Sequence, residues 1–382
     1  MTDETATLET NAPIVSSKPS PWIINPVVDY LFVAGGAFWL AILANTLLIG
    51  DDLPFDRTDP RKIGLFIVII IAQHIFFNAH NVATYFRLWG SDADHQAFRF
   101  YRTKLLYAAA ALFVMGVVMQ PLIGVLVTAY LVTTVWHWSM QTFGVALVYC
   151  EKREYFLSPF EKNSFRAVML VLSLHASLRF FADPTFLAYT LYGAATPFWM
   201  APADSMVAKA ILDGSKIFLA ITSGVFVIAI IRKMFTDKRL LPAPIFLMIA
   251  TMAALCLTAK PMNTLLWIYI PALYHGSQYM ALSLAYNLRE RGLVETNART
   301  LTKHLREWPA IDWFGKTILV GCAVYVFLPH VVSLVNLTGY DDALGLTMAV
   351  VNFHQFATDA AIWQLSNQRV KKNLQIVTNS PV

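Results

Sequence analysis

PLIGVLVTAYLVTTVWHWSMQTFGVALVYC, residues 121–150, runs from a proline to a cysteine without one charged side chain. A helix rises about 1.5 Å per residue, so about 20 such residues cross the hydrocarbon core of a bilayer. Hydrocarbon offers the backbone no hydrogen-bond partner, so a run of this length must satisfy its amides internally as a helix, whereas barrel strands would be half as long. Pro121 stands at the start, where its missing N–H costs nothing. Inside the run sit His137 and, one turn later, Gln141. Polar side chains at such a depth need a reason.

The same grammar recurs along the chain. Of 382 residues, 57% are hydrophobic and only 14% charged, with mean hydropathy +0.53, against about 25% charged in soluble domains. The expected fold class is all-α, a polytopic integral membrane helical bundle. About ten transmembrane helices are expected, at 27–49, 63–89, 104–119, 121–149, 165–182, 215–232, 243–260, 262–288, 314–337 and 342–367. The third and fourth meet in a tight hairpin at Gln120-Pro121.

Basic residues gather after the even-numbered segments, as at Arg99, Arg102 and Lys104, at Lys152 and Arg153, and at Arg369, Lys371 and Lys372. By the positive-inside rule both termini are expected in the cytoplasm. The net charge of +5 is then topogenic and faces anionic lipid, with no nucleic-acid partner implied. Residues 1–22 read as a disordered cytoplasmic tail, 23–368 as the transmembrane helical domain and 369–382 as a basic cytoplasmic tail. Residues 1–20 lack a secretory-signal pattern, which makes a bacterial cytoplasmic (inner) membrane the expected location. The aromatic stretch 183–212 reads as an interfacial lid, a half-helix or an interface-lying loop. Cys150, Cys256 and Cys322 are isolated, without a CxxC, which argues against a disulfide framework or zinc ribbon. No GxSxG or GxxxxGK[ST] stands in the chain, so nothing points to a serine hydrolase or to ATP use.

Nine histidines are present. His95 and His304 fall in loops, His175 and His330 near outer boundaries. The informative ones lie within spans: His74 or His80 in QHIFFNAHNVATYFR (73–87), His137 in VWHWSMQTFG (135–144), His275 in ALYHGSQYM (272–280), and His354 in the last segment. Each has a polar side chain about one turn onward: Thr84 after His80, Gln141 after His137, Gln278 after His275, and Thr358 and Asp359 after His354. His137 precedes Lys152 by 15 residues, His275 precedes Arg289 by 14 and His354 precedes Arg369 by 15, which sets all three at one depth. His80 is favoured over His74 by its neighbours Asn81, Thr84 and Tyr85. A lone membrane histidine is usually a helix–helix hydrogen-bonding residue, but four at one level point to a metal. The candidate ligands are His80, His137, His275 and His354, with Gln141, Gln278 and Asp359 as catalytic groups that fix ring tautomers. Asp359 could also bind the metal directly, and His354 and Asp359 are both expected to face the filled site. Trp136, Trp138, Tyr274, Tyr279 and Trp363 flank these positions and suit a cavity wall, while Asp29 and Lys216 read as interfacial.

Imidazole suits iron, copper, zinc and nickel alike. A metal in hydrocarbon meets dioxygen and lipid-soluble molecules, so oxidative chemistry on a lipid or isoprenoid substrate is expected, with non-haem Fe as cofactor. The clustered histidine boxes of membrane desaturases are absent. The dispersed pattern, with His275-Gly276, resembles the polytopic four-histidine dioxygenases of the carotenoid-cleaving Brp/Blh type, although Gln278 stands where that family places an aspartate. The resemblance implies iron held by His80, His137, His275 and His354, with Trp138 and Tyr279 against the substrate. Other readings remain open at this point: haem b between His137 and His354, or His275 with either; a proton or small-solute transporter using Asp359, His354 and Arg87; or a non-catalytic subunit of a membrane complex.

Overall fold

The computed structural model describes residues 20–48, 59–182, 205–257, 264–294, 300–335 and 338–376, and among these the regular structure is helical throughout, without a strand. In chain order the helices are α1 (Pro26–Val33) and α2 (Gly36–Leu48); α3 (residues 60–88), α4 (Asp92–Ala97) and α5 (Tyr101–Val118); α6 (Pro121–Lys152), α7 (Pro159–Ala182) and α8 (Met206–Asp237); α9 (Ala243–Leu257) and α10 (Thr264–Glu290); α11 (Trp308–Leu334), α12 (Tyr340–Ile362) and α13 (Gln368–Leu374). Within the described residues, each of the ten apolar segments overlaps a helix or, for 27–49, the pair α1–α2.

Among the described residues four helices, α5, α6, α8 and α11, are long and apolar enough to cross a membrane, and the α1–α2 pair makes a fifth if its 63° bend is counted within one span. Others are short, as α9 is, or diluted by polar residues that turn inward, such as His80, Asn81, Thr84 and Arg87 of α3. The bend sits at Gly35, whose φ of +101° excludes most side chains and whose Cα faces the Thr251 hydroxyl. Trp39 Nε1 donates to that same hydroxyl at 3.0 Å, pinning the corner to α9.

Helix α10 is the hub, touching α1, α2, α3, α6, α11 and α13, while α12 packs on α3, α5, α6 and α11. The α7–α8 pair and α9 cover the opposite side of α6. Lipid gives helices no hydrophobic reason to associate, so close approach through small residues does that work. A Cβ on Gly276 of α10 would lie 2.7 Å from the Phe76 carbonyl oxygen, and one on Gly321 of α11 the same distance from the Asn78 carbonyl oxygen. The two glycines clamp a π-helical turn of α3, Gln73–Asn78, from two sides. Wide turns of this kind change the phase of the helix beyond them and often mark functional sites. His80 follows directly after it.

Two interfacial assignments part company here. Lys216 is exposed beside Asp213, but Asp29 is fully buried. Its carboxylate accepts the backbone N–H of Ile23 (2.7 Å), Ile24 (3.0 Å) and Asn25 (3.3 Å) and the Tyr149 hydroxyl (2.6 Å). Lys152 Nζ donates to the Ser20 carbonyl, so residues 20–25 are strapped across the basic end of the bundle. At the other terminus α13 buries Val370 and Leu374 and packs on α10. Ser20 at one edge and Val370 and Leu374 at the other are thus buried against the bundle. Of the stretch 183–212, residues 183–204 lie outside the described residues; Ser205 caps α8, its hydroxyl accepting from the Ala208 N–H, and 206–212 form that helix's start.

Candidate metal centre

Three helices deliver imidazoles to one place. The ring centroids of His80 (α3) and His275 (α10) are 4.8 Å apart, and those of His137 (α6) and His275 5.0 Å, both edge-on. All three side chains are buried. His74 does not join them; its Nδ1 donates to the Ile70 carbonyl of its own helix. Asp359 of α12 completes the group, with Oδ2 3.8 Å from His137 Nε2.

The protonation pattern follows from partners. His80 Nδ1 makes a short hydrogen bond to the Phe77 carbonyl, which can only accept, so Nδ1 carries the proton and Nε2 keeps its lone pair. That Nε2 is buried without a hydrogen-bond partner, as are His137 Nε2 and both ring nitrogens of His275. Such orphans are rare in native interiors, and each costs about 1–3 kcal/mol where nothing meets it. Four ring nitrogens in one cluster form an array of lone pairs and N–H groups without a hydrogen bond to the protein. Among the described residues, however, no three or more His, Cys, Asp or Glu side chains already stand in coordinating geometry. The rings converge on one another short of a finished coordination sphere.

Asp359 is tightly held. Its Oδ1 accepts from Thr84 Oγ1 (2.9 Å) and the Tyr279 hydroxyl (2.7 Å), and Oδ2 accepts a short bond from Gln355 Nε2. Trp363 Nε1 donates to the Tyr279 hydroxyl at 3.0 Å. Trp138 lies 5.8 Å from the His275 ring and Tyr279 5.6 Å from that of His80, while Phe356 stacks on His137 at 4.1 Å. Each aromatic therefore limits how its imidazole can turn.

Two sets of expected residues are placed differently. Gln141 Nε2 donates to the His275 carbonyl and to Gln278 Oε1, both at 3.1 Å, and Gln278 Nε2 to the Val33 carbonyl at 2.9 Å. These glutamines tie α6, α10 and α1 together and form no bond to an imidazole; the tautomer of His80 is set by a backbone carbonyl instead. His354 donates through Nε2 to the Tyr101 carbonyl at 2.9 Å and stacks on Tyr85 at 5.2 Å. The reason is rotational. Five residues of helix turn through about 500°, so Asp359 and His354 point about 140° apart. Shared depth put His354 at the right level, but facing α5.

Beside the cluster lies a cavity of about 200 Å³ between α6, α10 and α12. His137, Asp359 and Tyr279 form its polar end, and Met140, Val145, Leu282 and Phe356 belong to its largely apolar wall. Trp136 and Ala360, which also line it, are exposed on the outer face of their helices. Gly144 stands in the lining with open space where a Cβ would be. Thr84 was marked by its spacing from His80; Gln355 and the Phe77 carbonyl are the contributors that spacing alone left out, although Gln355 stands one turn before Asp359.

No protein-family model, no curated protein and no solved structure matches this chain.

Proposed function

We propose that the chain is an integral membrane metalloenzyme that binds non-haem iron at His80, His137 and His275, with Asp359 as the fourth group, and oxidises a lipid or isoprenoid substrate with dioxygen. The observation that carries this is the meeting of three imidazoles with unpartnered ring nitrogens and a buried carboxylate at the polar end of an apolar cavity. In this reading about ten helices cross the bilayer, both termini face the cytoplasm, and the location is a bacterial cytoplasmic membrane.

Iron bound there would supply dioxygen activation. The chain's own residues do the rest. The apolar wall takes up the hydrocarbon part of the substrate through a mouth by Trp136 and Ala360, which a helix-facing lipid can reach without crossing water. Phe356, Trp138 and Tyr279 hold the imidazoles at fixed angles. Tyr279 and Thr84 orient Asp359 and can exchange protons with it. The likeness to carotenoid-cleaving dioxygenases enters as an analogy of chemistry, with His275-Gly276 serving both as ligand and as the close-packing step onto α3. Haem is disfavoured between His137 and His275, because edge-on rings 5.0 Å apart leave no slot for a macrocycle.

Metal analysis and an absorption spectrum on one detergent-purified sample test the proposal. Close to one iron per chain without a Soret band supports it. A Soret band selects haem, and a metal-free protein whose histidine variants abolish proton flux in vesicles selects transport; either result overturns it.

A further inference from the structure

We infer that the cavity beside the cluster is a blind tunnel for one end of an unbranched hydrocarbon chain, which sets a carbon about seven positions from that end beside His137 and Asp359. This deepens the reading above and rests on it only in taking His137 and Asp359 as the reactive end. Helix α6 gives the tunnel its direction. His137, Met140, Gln141, Gly144, Val145 and Val148 all line it and share one helical face. From His137 to Val148 that face extends up to about 16 Å toward Lys152 and the basic end of the bundle.

The polar lining stops early. His137, Gln141, Tyr279 and Asp359 stand together at one end, whereas beyond Gly144 the wall is Val145, Val148, Leu282, Leu365 and Leu374. Val148, Leu282 and Leu374 are buried, so that end is closed. Among the described residues the opening lies at the other end, where Trp136 and Ala360 are exposed on the outer faces of α6 and α12.

A volume of about 200 Å³ drawn out along such a face leaves a bore for one chain and none for a fused ring system. A methylene takes about the room of a water in the liquid, roughly 30 Å³, so about seven fill the tunnel. Methyl branches add girth that a single-file bore lacks. Gly144 keeps the passage open midway, since a Cβ there would meet nothing within 4 Å. The drive for entry is packing. Lipid is as apolar as the tunnel wall, so nothing is gained by leaving water; an empty tunnel, however, leaves its wall without dispersion partners, and a chain end supplies them. The rest of the molecule, with any polar head, stays in the bilayer beyond Trp136 and Ala360. The carbon presented to the centre is therefore counted from the apolar end, whatever the head.

The test is photolabelling of the full-length protein in lipid nanodiscs with hexadecanol bearing a diazirine on its terminal carbon, read by peptide mass spectrometry. Label on Val148, Leu282, Leu365 or Leu374 is expected, and moving the diazirine about seven carbons inward should move the label to Met140, Phe356 or Ala360. Gly144→Leu is expected to cut the blind-end label at least tenfold; Val148→Phe, which shortens the tunnel, replaces it should Gly144→Leu fail to fold. Plain hexadecanol should compete for the label at least tenfold better than a methyl-branched alcohol of equal chain length. Terminal label confined to outward-facing residues, undiminished label in a folded plug variant, or equal competition by the branched alcohol overturns the inference. Labelling needs no metal, so the two proposals fail separately: a metal-free protein labelled at the blind end overturns the metal centre and keeps the tunnel, and an iron-containing protein labelled only outside does the reverse.

Discussion

Asp29 and Asp359 are both buried carboxylates, and their surroundings are opposites. Asp29 has four donors around its two oxygens, three backbone N–H groups and the Tyr149 hydroxyl, and the nearby Lys152 is spent on the Ser20 carbonyl. Asp359 is held by three donors, yet beside it four imidazole nitrogens make no hydrogen bond. The first cluster is complete as protein and serves to strap a terminus to the helix ends. The second stays incomplete as protein alone, and native chains retain such incompleteness where a ligand repays it. Counting partners, more than counting charged residues, separates architecture from chemistry here.

The contrast yields variants with opposite signatures. Gly276→Val should have the largest effect, since its side chain would strike the Phe76 carbonyl that both packs α10 on α3 and positions the turn before His80. Loss of the monodisperse peak in size-exclusion chromatography is the expected result, and a folded variant would show the close approach to be dispensable. Asp29→Ala orphans three backbone donors and a tyrosine, a cost of about 3 kcal/mol or more. Thermal unfolding should fall by many degrees while metal content per folded chain stays constant.

His137→Ala and His275→Ala should do the reverse. Removing an unpartnered buried nitrogen relieves a penalty, so stability of the metal-free protein should hold or rise, while bound metal falls at least tenfold. A drop in stability equal to that of Asp29→Ala would erase the distinction between the clusters. Asp359→Asn is expected to weaken metal binding by about 10–100-fold with the fold intact, the scale seen when a group orienting or completing a site is lost. His354→Ala should be smallest, under tenfold, because its ring already bonds to Tyr101; a full loss of metal would return His354 to the ligand set. For the cavity, Gly144→Leu should exclude apolar ligands and leave metal content unchanged, as read by quenching of tryptophan fluorescence with brominated lipid.

Much of this was legible before any coordinates. The helix positions followed from apolar run length, because hydrocarbon permits one way to close the backbone. Residue counts to the basic ends set His137 and His275 at one depth, and their ring centroids lie 5.0 Å apart. Asp359 was singled out because a carboxylate at that depth needs a partner. Less legible were the glutamines. One turn of spacing from a histidine marks a neighbour on the same helix, but Gln141 and Gln278 found partners across helices.

What one dimension contains is axial: length, depth and polarity along each helix, since rise per residue is nearly constant. What it omits is rotation about the axis and the choice of neighbour. The π-helical turn in α3, the glycines that clamp it and the 140° between His354 and Asp359 set those angles. They decided which imidazoles meet and which ring nitrogens remain free, because a side chain's partner depends on the face its helix turns toward another, a property of packed pairs that no single segment carries.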